Sequence, residues 1–203
     1  MMSFAKGQTI YAQGDAADAL FVIQKGQVKL SVKTQIGKEA TLDILNDDDF
    51  VGKDSIAGLS SRTASASAIT DCILLRIGKK AMLLSLVRHV KLANLFWAYE
   101  LVRNIRYQQD LVDQHCNPSE KRLARILLLL AHYDGHGAPE TTVPKISHET
   151  LAEMVGTTRS RICFFMNRFK KSGFIYYEHK GRTLRVHRTL LAFCGQQLFA
   201  AGK

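Results

Sequence analysis

The chain has 203 residues, a formal net charge of +10 and a sequence pI near 9.6. This length holds one large or two modest domains, each big enough for its own core. The N-terminus lacks the charged-then-apolar pattern of a secretion signal, and no apolar run approaches the roughly 18 residues of a membrane span. The four cysteines are far apart and no Cys or His spacing suits zinc. We therefore expect a cytoplasmic protein with no membrane contact, structural disulfide or bound metal.

The sequence of residues 4–77 indicates a series of short β-strands. Runs rich in Val, Ile, Leu and Phe alternate with Gly, Asp and Asn clusters, as in ALFVIQKGQVKLSV and TASASAITDCILLRI. Strands at this spacing predict an all-β sandwich or barrel. Gly26 lies between two strand-like runs, where we predict a turn that costs other residues energy.

A long amphipathic helix is predicted over residues 90–116, within a stretch that contains neither Gly nor Pro. Apolar residues recur there at alternating steps of three and four, which is typical of a coiled-coil seam over roughly three heptads. This pattern predicts a parallel homodimer. The alternative is that the face packs on the chain's own β-domain, and both arrangements can hold on different faces. The predicted dimer contacts are Leu95, Ala98, Val102, Ile105, Gln109 and Val112.

The predicted hinge between domains is Asn117-Pro118, because proline disfavours the helical region for the residue before it. Ser119 is the expected cap of the next helix, KRLARILLLLAHY. Residues 142–146 form a predicted short strand that pairs with a hairpin further along the chain. Residues 189–200 form a last predicted helix.

Residues 147–173 predict two short helices joined by a tight turn. Ser147 is a favourable N-cap for the first helix, and Gly156 marks the turn. A helix-turn-helix places the second helix in the major groove of DNA, with its N-terminal residues at base edges. One face of this second helix is apolar, and the other carries Arg159, Arg161, Arg168 and Lys170.

A predicted β-hairpin follows the second helix, as in a winged helix. Residues 174–178 are rich in strand formers, residues 179–181 are a turn signal, and residues 182–187 alternate polar and apolar side chains. The basic residues of the hairpin, Lys180 and Arg182 among them, are expected to contact phosphates.

The positive charge is concentrated in the C-terminal part of the chain. Residues 119–203 contain 14 Lys+Arg against 6 Asp+Glu, a net charge of +8, whereas residues 1–118 contain 14 against 12, a net charge of +2. The excess therefore lies with the predicted helix-turn-helix, as expected for a protein that binds double-stranded DNA.

Three segments carry a resemblance to a known family. They are GQTIYAQGDAADALFVIQKGQVKL (7–30), DFVG with SRTASASA (49–68), and ETLAEMVGTTRSRICFFMNRFKKSGFI (149–175). In this order they resemble the Crp/Fnr superfamily of bacterial transcription regulators, over nearly all of the chain. The resemblance implies an α+β fold with an N-terminal β-roll of the cyclic-nucleotide-binding type (a double-stranded β-helix), a dimerisation helix and a winged helix-turn-helix. We place these parts at residues 1–78, 79–117 and 118–203.

The family also implies partners. Its members are homodimers that bind a two-fold related DNA site, with half-sites about one helical turn apart, and their β-roll reads an effector. RNA polymerase is a further candidate partner. Oxygen-sensing members hold an iron–sulfur cluster on clustered N-terminal cysteines. The cysteines of this chain do not cluster, so we place it in a branch without that sensor.

The candidate effector site departs from the family pattern. Members that bind cyclic AMP supply a Gly-Glu pair for the ribose and an Arg-Ser pair for the phosphate, whereas this chain has Gly52-Lys53-Asp54 and then Arg62-Thr63. The last two residues are suited to a phosphate, but the ammonium of Lys53 cannot accept a ribose hydroxyl, and Asp54 would substitute only if the loop shifted. A cyclic nucleotide, another small anionic effector and no ligand all stay open. The candidate residues are Gly52, Lys53, Asp54, Arg62, Thr63, Tyr107 and Gln108.

The candidate base-reading residues also depart from the pattern. The family reads bases from the first turns of the second helix, often through an Arg followed by a Glu. Arg159 matches the Arg, Ser160 occupies the Glu position, and Phe164 stands where many members place a further Arg. Without the Glu, a cytosine amino group loses its usual acceptor, so we do not expect the family's best-known half-site. The predicted DNA-binding residues are Thr158, Arg159, Ser160, Arg161, Arg168, Lys180 and Arg182.

The sequence therefore predicts a homodimeric DNA-binding transcription regulator that is not an enzyme. It contains no Ser-His-Asp constellation, phosphate-binding Gly loop or metal spacing that stands out. One alternative is a cyclic-nucleotide-type sensor module that regulates a protein partner, against which the predicted wing and the +8 charge argue. The other is a cupin-like enzyme, which usually needs paired histidines, but the first histidine is His89, beyond the predicted roll.

Overall fold

The computed structural model describes residues 1–35, 37, 39–131, 139–144, 146–178 and 183–194. The chain divides into two compact units, Met1–Gln108 and Gln109–Lys203. The boundary between the units falls inside the long helix rather than at Asn117-Pro118. The division into three parts at residues 78 and 117 stays a prediction from the order of the elements.

Short strands form the regular structure of residues 1–78 apart from one short turn of 3-10 helix, which confirms the all-β prediction for residues 4–77. Each strand is bounded by turns, many of them at the glycines that interrupt the apolar runs. In chain order the strands are β1 (Met2–Phe4), β2 (Thr9–Tyr11), β3 (Ala19–Lys25), β4 (Val28–Lys33), β5 (Glu39–Leu45), β6 (Phe50–Val51), β7 (Ser65–Ala68) and β8 (Cys72–Gly78).

These strands form two four-stranded antiparallel sheets, with the orders β1-β8-β3-β6 and β2-β7-β4-β5. Alternate residues along each strand point to opposite faces, and the apolar ones from both sheets meet in one core. Its fully or almost fully buried members include Ala19, Phe21, Ile23, Val28, Leu45, Val51, Ala66, Ala68, Cys72 and Leu74.

Gly26 lies where the chain leaves β3 in one sheet and enters β4 in the other. Its φ is +104°, in the region that favours glycine, and a Cβ atom built there would lie 2.5 Å from the carbonyl oxygen of Asp71. The turn predicted at this position is therefore confirmed, and the close backbone approach adds a second reason for glycine.

Two helices, α1 (Lys79–Arg88) and α2 (Val90–Cys116), follow the sheets, and α2 has the predicted bounds. Within the first unit, α2 packs on the roll through Phe96, whose buried ring lies with Leu20 and Met82. The ring centroid of Phe96 is 5.2 Å from that of Phe50, in an edge-to-face arrangement. One face of α2 therefore holds the roll, which was one of the two arrangements that the sequence left open.

The second unit is a winged helix. Its three-stranded sheet has the order β10-β11-β9 and is antiparallel. The predicted strand that pairs with the hairpin is confirmed as β9, and it begins two residues earlier than residue 142. Its elements are α3 (Ser119–Leu130), β9 (Glu140–Pro144), α4 (His148–Val155), α5 (Arg159–Lys171), β10 (Ile175–Glu178), β11 (Thr183–His187) and α6 (Leu190–Cys194).

The start of α3 differs from the prediction, and the last predicted helix is described only in part. Pro118, not Ser119, occupies the N-cap position of α3, and Ser119 is the first helical residue with no side-chain cap bond there. Proline supplies a fixed φ that suits a helix start. The last predicted helix is present as α6, and residues 195–200 lie outside the described residues.

In the described part of the chain, no helix is both long enough and apolar enough to cross a membrane.

Candidate DNA-binding surface and effector site

Local capping fixes the two helices of the candidate DNA-binding surface. The Ser147 hydroxyl accepts a hydrogen bond from the Thr150 amide at 3.0 Å and so caps α4. Gly156 ends α4 with a φ of +68°, where a side chain would add strain. The Thr158 hydroxyl accepts from the Arg161 amide at 3.4 Å and caps α5.

Helix α5 has one buried face and one exposed face. Ile162, Phe165, Met166 and Phe169 are buried, as the sequence predicted. This packing fixes which side chains the helix presents to solvent. The exposed residues include Arg159, Ser160, Arg161, Cys163, Phe164, Asn167 and Arg168.

Two predicted DNA-binding arginines already form ion pairs within the second unit. Arg159 Nε lies 2.6 Å from Glu149 Oε1, and the Arg159 side chain is 73% exposed. A hydrogen bond from its own backbone amide lowers the pKa of Glu149, and the charge of Arg159 adds to the effect. Arg168 Nη1 lies 3.2 Å from Glu120 Oε2. An ion pair between two exposed side chains, such as Arg159 with Glu149, contributes little to stability, so the Arg159 guanidinium can exchange this carboxylate for DNA at low cost. The Glu120 side chain is only 17% exposed, so the argument does not extend to Arg168.

The remaining predicted residues that the structure describes lie at the start of α5. The Ser160 hydroxyl lies 3.1 Å from the Thr158 hydroxyl, and the guanidinium carbon of Arg161 lies 5.9 Å from the centroid of the Phe165 ring. Lys180 and Arg182 lie outside the described residues. The structure therefore brings Thr158, Ser160 and Arg161 together with Arg159 at one helix end.

In the first unit, Arg62 of the candidate effector site is buried, and both of its terminal nitrogens donate to oxygens of the chain. Its side chain is 1% exposed. Nη1 donates to the Gly52 carbonyl at 3.0 Å and to Asp54 Oδ1 at 2.7 Å, and Nη2 donates to the Ala19 carbonyl at 2.6 Å. The guanidinium also stacks 4.3 Å from the centroid of the Tyr11 ring.

The Asp54 carboxylate accepts hydrogen bonds from several groups of the candidate effector site, and we call residues 52–55 with Arg62 and Thr63 the cassette. Besides Arg62, its Oδ1 accepts from the Ser55 amide at 3.1 Å. Its Oδ2 accepts from the Thr63 amide at 3.0 Å and faces the Thr63 hydroxyl at 3.4 Å. Asp54 therefore contacts the residues that the family uses for a phosphate, and its substitution for the ribose acceptor after a shift of the loop stays a prediction.

The contacts between Asp54 and Arg62 favour glycine at position 52, for reasons of backbone angle and space. Gly52 has a φ of +82°, and a Cβ atom there would lie 2.5 Å from Arg62 Nη1. Lys53, the next residue, points to the long helix, where its Nζ lies 2.9 Å from Glu100 Oε2. The loop therefore directs Gly52 and Asp54 to Arg62, and Lys53 to α2.

Tyr107 and Gln108 have other partners. The Tyr107 hydroxyl donates to Asp43 Oδ2 at 3.1 Å and lies 3.2 Å from Arg103 Nη2. Burial raises the pKa of Tyr107, and the nearby Asp43 charge raises it further. The Gln108 amide donates to Asn104 Oδ1 at 3.1 Å on its own helix.

Arg103, Asp43 and Asp49 form a cluster that attaches α2 to the roll and that was not predicted from the sequence. Arg103 Nη2 donates to Asp43 Oδ2, and Arg103 Nη1 lies 3.2 Å from Asp49 Oδ1. Both Arg103 and Asp43 are buried. The spacing of Tyr99, Arg103 and Tyr107 by four residues could have indicated this cluster, because it places the three side chains on one helix face.

The face of α2 predicted to form a dimer is exposed in the single chain. Leu95 and Val102 expose about two thirds of their surface (71% and 67%), which is unusual for large apolar side chains along one helix. The other predicted contacts, Ala98, Ile105, Gln109 and Val112, are also exposed. The exposed apolar surface further includes Trp97, Leu101 and Leu111, which the heptad pattern did not select.

A winged helix with an exposed basic helix end, in a chain that begins with a β-roll of the cyclic-nucleotide-binding type, defines a class of protein. That class is the DNA-binding transcription regulator with a sensor domain. Residues 1–89 match the family model of the cyclic nucleotide-binding domain, and residues 121–192 match that of the Crp-like helix-turn-helix domain. The two matches together cover most of the chain, which belongs to the Crp/Fnr superfamily.

Relatives of the chain include named regulators. The CRP-like cAMP-activated global transcriptional regulator of Mycobacterium tuberculosis is 26% identical over 181 residues, which cover 88% of this chain and 81% of the relative. The global nitrogen regulator of Synechococcus elongatus is 28% identical over 185 residues, which cover 89% and 83%. These relatives are transcription regulators and not enzymes, which confirms the predicted class of function.

Solved structures show the same fold. A CRP-family transcriptional regulator from Thermus thermophilus matches with a TM-score of 0.76 and 25% identity, over 99% of this chain and all of the other. FixK2 from Bradyrhizobium japonicum matches with a TM-score of 0.81 over 100% and 98%, and at 17% identity it supports the fold alone. The predicted α+β fold, with its β-roll, long helix and winged helix-turn-helix, is confirmed.

Proposed function

We propose that the protein binds a two-fold symmetric operator as a homodimer, with the N-terminal turns of α5 at base edges in the major groove. The observation that carries this proposal is the exposed helix end formed by Arg159, Ser160 and Arg161. Arginine can donate two parallel hydrogen bonds to a guanine edge. Thr158, Arg168, Lys180 and Arg182 complete the proposed DNA-binding set.

The exposed apolar face of α2 supports the homodimer. A second copy of the same helix would cover Leu95, Val102, Ile105 and Val112 with an identical seam. Two copies related by a two-fold axis would present their α5 helices to successive major grooves about 34 Å apart. The operator is then a pair of half-sites about one helical turn apart.

Cyclic AMP is not the effector that the site residues favour. The family's ribose acceptor is replaced by Lys53, whose ammonium only donates and is paired with Glu100. The proposed regulator therefore acts without this ligand, whereas the Mycobacterium tuberculosis relative is named as cAMP-activated.

We further propose that this protein acts in the cytoplasm, and that RNA polymerase is its partner when it is bound to the operator.

The salt dependence of DNA binding tests the proposal against a sensor module that acts on a protein partner. Fluorescence anisotropy with a labelled random duplex should show log affinity falling linearly with log salt concentration, because bound phosphates release counterions. Arg161→Ala should reduce the slope, whereas Lys6→Ala on the roll is the matched control and should not. An affinity that does not depend on salt, or no binding at all, would favour the protein-partner alternative.

A further inference from the structure

Four donors from three residues converge on one carboxylate in the first unit. They are Arg62 Nη1, the Ser55 amide, and the amide and hydroxyl of Thr63, at 2.7–3.4 Å from the Asp54 oxygens. A guanidinium, a hydroxyl and backbone amides are also the donors that bind a phosphate. The cassette therefore has the donor set of an anion site, and its anion is a side chain of the same chain.

We propose that Asp54 is an intramolecular ligand of this anion site and takes the place of the phosphate of a cyclic nucleotide. A second anion on the same donors would lie against the Asp54 carboxylate, and like charges at such short distance repel strongly. The roll therefore excludes cyclic nucleotides and other phosphate esters. Operator binding is then independent of them, a consequence that rests on the proposed function.

The burial of the cluster shows why Asp54 is needed. The Arg62 side chain is 1% exposed and that of Asp54 is 9% exposed, and Arg62 lies on the Tyr11 ring. A buried guanidinium without a counter-charge is costly. With Asp54 in place, the guanidinium is neutralised without any ligand.

The neighbouring Lys53 supports the same conclusion by a different contact. It stands where cyclic-AMP-binding members have a ribose acceptor, and it is paired with Glu100 of α2 at 2.9 Å. Its Nζ also lies 5.5 Å from the centroid of the Tyr99 ring. The loop thus contacts the long helix directly, through a side chain that needs no nucleotide between them.

Chemical rescue of an Asp54 variant tests the proposal. Asp54→Ala removes the buried counter-charge of Arg62 and leaves only the exposed Asp18 carboxylate, whose Oδ1 lies 3.9 Å from Arg62 Nη2. The Tm should therefore fall by about 5 °C. Acetate or inorganic phosphate, compared with chloride at equal ionic strength, should restore part of the loss in a saturable way. Asp54→Ala combined with Arg62→Met is the matched control, and its Tm should not respond to either anion.

The unmodified protein provides the second arm, which requires no variant to fold. Neither cyclic AMP nor inorganic phosphate should raise its Tm beyond the chloride control. A saturable rise with cyclic AMP, or an Asp54→Ala protein that is as stable as the original or is not rescued, would overturn the proposal. If the protein bound no DNA but Asp54→Ala were still rescued, the proposed function would fail while the assignment of Asp54 would stand.

Discussion

Two arginines that the family pattern assigns to ligands, one to a base edge and one to a phosphate, lie in opposite surroundings. The Arg159 side chain is 73% exposed, and its pair with Glu149 lies at the surface, where water and salt screen it. The Arg62 side chain is 1% exposed, and its Nη1 and Nη2 donate to oxygens of the chain itself. Arg159 is therefore available to DNA, whereas Arg62 is committed to the fold.

Arg159→Ala should relax specificity at one base per half-site and weaken operator binding by about 1–3 kcal/mol. The reason is the loss of two donors to a guanine edge. Affinities for the operator, for operators altered at each position and for random duplex measure the effect. Arg159→Lys retains the positive charge but not the two parallel donors of the guanidinium. Compared with Arg159→Ala, it should regain affinity for random duplex but not specificity for the operator. Equal losses on operator and random DNA would show that Arg159 contacts only phosphate.

Phe164 is expected to contact a thymine methyl group. Its ring is 63% exposed on α5, one turn after Ser160, among polar and basic neighbours. Apolar side chains recognise thymine through this methyl, and covering it is worth about 1 kcal/mol. Phe164→Ala should weaken operator binding by about that amount.

Deoxyuridine substitution in the operator isolates this contact, because it removes only the methyl. Replacing one thymine per half-site should weaken binding by the native protein and leave the affinity of Phe164→Ala unchanged. An operator with no such position, or one where both proteins lose affinity equally, would contradict the assignment.

At the residue scale, features set by near neighbours could be predicted from the sequence. The Ser147 cap and the Gly156 turn depend on residues within four positions, and both are confirmed. The role of Asp54 could not be predicted, because its contact with Arg62 depends on how the intervening loop folds and on the burial that the sheets provide. The family motif therefore indicated Arg62 and Thr63 but not their contacts with Asp54.

At the element scale, α2 has one face buried against the roll and another face that is exposed and apolar. Phe96 and Arg103 are buried against the roll, while Leu95 and Val102 are exposed. The seam could be predicted because helical periodicity places its members on one face. The attachment through Arg103 and Asp43 could not, since the two residues are sixty positions apart in the sequence.

Val102→Glu should separate the proposed dimer. A carboxylate at the centre of the apolar seam would face its own copy across the two-fold axis and lose the apolar contact. Light scattering after size exclusion should show a dimer for the native protein and a monomer for the variant. Gln114→Glu, an exposed change on a different side of α2, is the control and should remain a dimer. A native protein that is monomeric at high concentration would contradict the prediction.

Arg103→Met should weaken the attachment of α2 to the roll and lower the free energy of unfolding of the first unit by about 3 kcal/mol. The substitution leaves the buried Asp43 carboxylate with only Arg106 as a counter-charge, whose Nη2 lies 3.9 Å from Asp43 Oδ1. Urea unfolding followed by the fluorescence of Trp97, on the same helix, measures the loss. The double variant Arg103→Met with Asp43→Leu removes both charges and should recover much of it. A loss below about 1 kcal/mol in the single variant would show that the pair is not important for the attachment.

At the scale of the whole molecule, the distribution of charge agrees with the proposed function. The part of the chain with the winged helix has a net charge of +8, and the part with the roll and α2 has +2. A uniformly basic protein would bind a polyanion without orientation, whereas this asymmetry favours contact through the winged helix. The fold and class could be predicted from the sequence because the order of elements is distinctive. The state of the effector site depends on contacts that order alone does not determine.

Operator binding without a ligand can be measured by selecting genomic DNA fragments with the purified, ligand-free protein and sequencing them. A regulator of the proposed kind should enrich a two-fold symmetric motif with half-sites about one helical turn apart. Added cyclic AMP should leave this enrichment unchanged. Recovery of random DNA alone, or of a symmetric motif only when cyclic AMP is present, would show that the proposed operator binding is wrong.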